Sequence, residues 1–157
     1  MPREYPAAID GSISSGHVLG DDFSASMEAF KIKSMAKAEK VIRLAIMNMY
    51  GEIIETSPVK TGLFRVNSQI GVNAIPSGTL YAEHAPKGAS YPKPDKEYAK
   101  SKLQSWKLQN VAYICNNLSY AVVLEFGHSN QAPTGIYRKA ALKMDTFLST
   151  AAASVKG

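Results

Sequence analysis

Apolar positions recur at two different periods along this chain, and each change of period marks an element. From about Phe23 to Glu55, Met27, Phe30, Ala38, Ile42, Ala45, Ile46, Met49 and Ile53 follow at spacings of three and four. That pattern predicts one long helix with a single apolar face. Lys31, Lys33, Lys37, Lys40 and Arg43 fall mostly off the face, as a solvated surface would place them. Asp21, Asp22 and Ser24 offer side-chain oxygens and negative charge for the helix start. Ser57-Pro58 stops the helix, because the residue before a proline is pushed out of helical geometry. Residues 1–22, rich in Gly, Ser and Pro, read as a flexible arm, leaving 23–157 as one domain.

The period then changes to two. After a Thr61-Gly62 turn, Phe64, Val66, Ser68, Ile70, Val72 and Ala74 alternate with Arg65, Asn67, Gln69, Gly71 and Asn73. The alternation predicts an antiparallel strand with one wet face. Thr79 to Glu83 follows the Ile75-Pro76-Ser77-Gly78 turn as a candidate second strand. Leu108 to Asn116 has apolar groups on both faces, the pattern of a central strand. Leu118 to Phe126 is too short for periodicity to decide, but Gly127 directly after it suits a helix C-cap and predicts a short helix. His128 to Gly135 reads as a loop. A last helix is predicted from about Gly135 to Val155, with Thr134 as candidate cap and Ile136, Ala140, Met144, Phe147, Leu148 and Ala151 as its stripe. The expected fold is α+β: a small antiparallel sheet packed against a long N-terminal helix and a C-terminal helix.

Residues 85–107 stand apart. They carry Lys87, Lys93, Lys96, Lys100, Lys102 and Lys107 against Asp95 and Glu97, with Pro86, Pro92, Pro94, Tyr91, Tyr98 and Trp106. A connection this long in a compact domain is commonly functional or disordered, and Lys96 to Trp106 can form a short helix inside it. Lysines neutralise phosphates and aromatics stack on bases, so nucleic-acid binding is one reading. The segment has no arginine, the residue that dominates base readout in the major groove, which favours a solvated loop or a contact with an acidic protein surface.

Composition adds bounds. The chain has 157 residues, 45% of them apolar, enough for one self-sufficient core. Its net charge of +5 suggests polyanion contact without establishing it. The N-terminal residues lack the apolar core of a signal peptide, and the longest strongly apolar run, Tyr120 to Leu124, is too short to span a bilayer. Synthesis in the cytoplasm, or in a particle assembled there, is expected, with no membrane partner. Cys115 is the only cysteine, so no internal disulfide exists; its apolar neighbours predict a small core residue. His17, His84 and His128 lack metal-ligand spacing, and no nucleotide-binding glycine motif or nucleophile elbow is present. No cofactor, metal or catalytic residue is expected. A Cys115–histidine hydrolase would need an activated, partly exposed thiol, which a mid-strand position does not supply.

Two stretches carry a resemblance. The first runs Glu55-Thr56-Ser57-Pro58-Val59-Lys60-Thr61-Gly62-Leu63-Phe64-Arg65. The second runs Asn116-Asn117-Leu118-Ser119-Tyr120-Ala121-Val122-Val123-Leu124-Glu125-Phe126-Gly127-His128-Ser129, with Gln131-Ala132-Pro133-Thr134-Gly135 after it. In order and spacing, over about residues 24–155, they resemble the tail-completion, or head–tail joining, proteins of lambda-like and related long-tailed phages. Lys60 departs from the family's usual Asp, and the basic loop is longer than the family pattern. The resemblance implies a structural virion subunit of the phage neck with no reaction to perform. It implies a homo-oligomeric ring, hexameric or dodecameric, that joins or completes the tail beside other neck and tail proteins and near DNA in the channel. Tail terminator and head-closure roles are the neighbouring alternatives. Ser57, Pro58, Val59, Thr61, Gly62, Tyr120, Ala121, Glu125, Phe126 and Gly127 are then architectural motif residues. Lys87, Lys93, Lys96, Lys100, Lys102 and Trp106 are the candidate partner-contact loop.

Overall fold

The computed structural model describes residues 16–155, with side chains from residue 20 onward. Helix α1 spans Gly16–Thr56. It therefore starts before Phe23, and Asp21 and Asp22 lie within it rather than capping it; residues 1–15 of the expected arm lie outside the described residues. The chain divides into two compact units, one up to Met35 and one from Ala36, so the larger unit begins later than residue 23.

In the first unit, the described stretch is helical and exposed throughout. Phe23 and Phe30, expected at the edge of the core or on its face, are 68% and 67% exposed, and Met27 is also exposed.

In the second unit, α1 supplies two neighbouring stripes one residue apart. Ile46, Tyr50 and Ile54 enter one buried cluster with Ile70, Ala99, Leu103 and Trp106. Ile53 enters the other, with Leu63, Phe64, Val66, Leu118, Ala121, Ala132, Ile136 and Ala140, while Met49 packs on its edge. Ile114 touches both clusters and so ties them together.

After the Pro58 stop, α2 (Leu63–Val66) makes one helical turn before strand β1 (Ser68–Val72). The expected strand over residues 64–74 is thus shortened. Gly62 at φ 87° starts the turn, and the Val66 and Asn67 N–H groups donate back to the Gly62 and Leu63 carbonyls. One turn buries Leu63, Phe64 and Val66 together, which a strand alternation cannot do. The expected wet face is also not wet. Asn67 and Gln69 are buried, because residues 74–81 fold over them and bond their amides. Residues 79–83 form no strand.

Helix α3 (Lys96–Leu103) is capped by Asp95, whose carboxylate accepts the Tyr98 N–H at 3.0 Å. Strand β2 (Ala112–Asn116) pairs antiparallel with β1 in a two-stranded sheet, Ile70 opposite Ile114. With two strands there is no centre, so β2 is an edge strand and not the central one its apolar faces predict. Helix α4 (Ala121–Glu125) ends before Gly127 at φ 86°, as the glycine predicts. The last helix is divided into α5 (Tyr137–Ala141) and α6 (Met144–Ser154). Lys143 interrupts it at φ −93°, ψ 6°, with its ammonium paired to the Glu52 carboxylate of α1. The architecture is α+β, with the long helix, the small sheet and the C-terminal helices sharing one core.

Candidate functional site

The two motif stretches meet in space. At the end of α1, the Ser57 hydroxyl donates to the Ile53 carbonyl at 2.6 Å and closes the helix before Pro58. The Val59 N–H donates to Gln131 Oε1 at 2.8 Å, and Gln131 Nε2 donates back to the Val59 carbonyl at 3.5 Å. The side chain of the second motif thereby completes the main chain of the first. Asn116 Nδ2 donates to the Phe64 carbonyl at 2.8 Å, a second tie between them. Thr61 Oγ1 accepts the Leu63 N–H, and the Thr61 carbonyl accepts the Tyr91 N–H at 2.8 Å. A Cβ at Gly62 would stand 2.7 Å from the Tyr91 carbonyl oxygen, so only glycine allows this approach. Phe64 is buried with the Tyr120 and Tyr137 rings 6.4 Å from it.

Glu125 does not sit idle at the surface. Its carboxylate accepts the N–H groups of Ile136, Tyr137 and Arg138 at 2.9, 2.8 and 2.8 Å. These are the orphan donors at the start of α5, so Glu125 provides the cap expected of Thr134, which is exposed. Ala121 is buried and Leu124 packs on the first cluster, together with Tyr120. Val122, Val123 and Phe126 are instead 64%, 49% and 64% exposed, so Val123 and Phe126 do not cover the sheet as expected. Residues 122 and 126 are one helical turn apart and make one outward apolar surface. Arg138 lies over the Phe126 ring at 5.6 Å.

Between the motifs lies a cleft of about 710 Å³, floored by Leu63, Phe64 and Leu124 and rimmed by Lys60, His84, Lys87 and Gln131. Its one carboxylate, Glu83, accepts the Ser119 N–H at 3.0 Å. Among the described residues no group of three His, Cys, Asp or Glu side chains could hold a metal ion. Cys115 is half-exposed rather than a full core residue; its thiol lies 3.8 Å from the Pro76 carbonyl, and burial pushes its pKa up, away from a reactive thiolate.

The basic segment is built into the fold. Ala99, Leu103 and Trp106 are buried, so Trp106 is no partner-contact residue and cannot stack on a base. Lys93 is paired with Glu55, Lys100 with Glu97 and Lys107 with Glu39. Lys102 lies 5.7 Å from the Tyr98 ring centre. Lys87 and Lys96 are exposed.

Sequence reasoning missed Asn67, Gln131 and Glu83. Asn67 carried one signal, a lone amide in an otherwise apolar stretch at the Leu63–Val66 turn. Gln131 and Glu83 carried none, because their bonds are to distant main chain.

Comparison with family models, with curated proteins and with solved structures finds no match to this chain. No helix among the described residues is long and apolar enough to cross a membrane.

Proposed function

We propose that this chain is a structural subunit of a tailed-phage neck, forming a ring that joins or completes the tail at the head–tail junction. The observation that carries the reading is how the motif residues are used. Ser57, Val59, Thr61, Gly62, Glu125 and Gly127 are spent on main-chain hydrogen bonds and turns, so they hold a scaffold and do not present reactive groups. That scaffold turns Val122, Val123 and Phe126 outward. An apolar surface held rigidly in water suits a protein partner. A cyclic ring, six-fold or twelve-fold, requires such a patch to meet a different patch on the next copy. Tail termination and head closure are finer versions of the same role.

The test is quantitative mass spectrometry of purified virions, counting this chain against the major capsid protein. About six or twelve copies per particle are expected for a ring of that symmetry. A Val122→Ser/Phe126→Ser variant is expected to fold, to fill heads, and to leave them without tails. Absence of the chain from complete particles would overturn the reading, as would normal tailing by the variant.

A further inference from the structure

The sheet has one covered edge and one open edge. The Asn73 N–H donates to the Val111 carbonyl at 2.8 Å, which fixes the phase of the ladder. Gly71–Tyr113 and Gln69–Cys115 are then the pairs whose main-chain groups face each other. It follows that the N–H and C=O groups of Ala112, Ile114 and Asn116 point away from β1, while those of Ser68 and Ile70 point away from β2. On the β1 side these groups are met. The Tyr50 hydroxyl donates to the Ser68 carbonyl at 3.1 Å, the Ile70 N–H donates to the Tyr98 hydroxyl at 3.4 Å, and α3 packs alongside. On the β2 side, the main-chain groups of Ala112, Ile114 and Asn116 have no hydrogen-bond partner among the described residues. Every residue of β2 is part-exposed. The strand reads Ala-Tyr-Ile-Cys-Asn, with no charge and no proline, the devices that keep a free edge from pairing.

We propose that the open edge of β2 is an assembly site for β2 of a second copy of this chain, paired antiparallel about Ile114 to give one sheet of four strands. The sequence of β2 is suited to itself. Ile114 faces Ile114, Ala112 faces Asn116 and Tyr113 faces Cys115, so no like charges meet. Residues opposite each other in an antiparallel pair share a face, so Ala112 and Ile114 of both copies stay on the side packed against the core. The join also completes a sheet that two strands leave marginal. This two-fold contact is distinct from the head-to-tail contacts of a cyclic ring, and it stands independently of the neck reading.

Two variants of the full chain test it. Ala112→Pro removes one outward N–H at the first residue of the strand, where proline is tolerated. Sedimentation equilibrium is expected to give a dimer for the wild type and a dissociation constant raised roughly tenfold or more for the variant, since two hydrogen bonds are lost per dimer. Tyr113→Cys places a thiol directly opposite Cys115 of the other copy, in a pair of the type whose Cα atoms lie about 4.5 Å apart. Mild oxidation at alkaline pH is expected to yield a covalent dimer on a non-reducing gel. The wild type is expected to give none, because its two Cys115 residues are two positions out of register. A monomer at every concentration would overturn the proposal. So would a folded Tyr113→Cys protein, ring or not, that fails to cross-link.

Discussion

Glu125 shows how much one side chain can carry here. Three main-chain N–H groups converge on its carboxylate within 2.9 Å, at a helix start that has no side-chain cap of its own. Each bond is charge-assisted, and the positive end of a helix favours the negative charge. Gly135 is fixed by the same arrangement, at φ 86° with the Glu125 carbonyl 2.6 Å from where a Cβ would stand. Glu125→Ala is therefore expected to cost roughly 2 kcal/mol or more in a urea titration, above the usual loss of a cap. Glu125→Gln, which keeps an acceptor and loses the charge, is expected to cost about half as much. Equal stability of wild type and Glu125→Ala would mean that water replaces the carboxylate.

At the scale of elements, what was legible and what was not divide along a physical line. The Ser57-Pro58 stop, the Gly62 turn, α3 inside the basic segment and α4 before Gly127 each rest on local chemistry, and local chemistry is written in neighbouring residues. The strand expected over 64–74 failed because its period of two is shared by a helical turn followed by a short strand, once residues from elsewhere bury both sides. Gln69 and Asn67 are polar in the sequence and buried in the fold because Gly78, Leu80 and Tyr81 satisfy their amides. Nothing within a few residues announces that cover. Likewise, the site's two halves were legible as motifs, whereas the Gln131–Val59 clamp between them spans 72 residues and left no local trace. Asn67 tests the idea that the cover is held by side chains. Its Nδ2 donates to the Leu63 carbonyl at 3.0 Å, and its Oδ1 accepts the Leu80 and Tyr81 N–H groups. Asn67→Ala is expected to cost about 2 to 3 kcal/mol, since it leaves buried groups unpaired. Hydrogen exchange at Leu80 and Tyr81 is expected to speed up while the β1–β2 ladder stays protected. Equal acceleration in both places would mean that the cover and the sheet open together.

At the scale of the larger unit, the two buried clusters share one helix and one strand residue, Ile114, so they should unfold as one. Each cluster also has a tyrosine associated with it, which gives pH a handle on both. Tyr50 lies in one cluster, and burial, followed by the neighbouring Tyr98, raises its pKa strongly. Tyr137 packs on the other, and burial pushes it up to about 12 against the Ser68 and Asn116 hydrogen bonds that lower it. In both cases the folded value lies above the ordinary tyrosine value of 10.0. The unfolded chain therefore releases these protons first as pH rises, and ionisation favours unfolding. The contribution is fully present below pH 10 and is lost from there upward, through about pH 12 for Tyr137 and beyond it for Tyr50. The urea midpoint is expected to show no tyrosine-driven fall below about pH 9 and to drop steeply above about pH 10. Tyr137→Phe should make the fall between about pH 10 and 12 shallower, because one proton fewer is then released on unfolding. Circular dichroism and Trp106 fluorescence should report the same midpoint at each pH. Two separate midpoints would show that Ile114 and α1 do not couple the clusters, and an unchanged slope in Tyr137→Phe would assign the alkaline transition to Tyr50 and its neighbours.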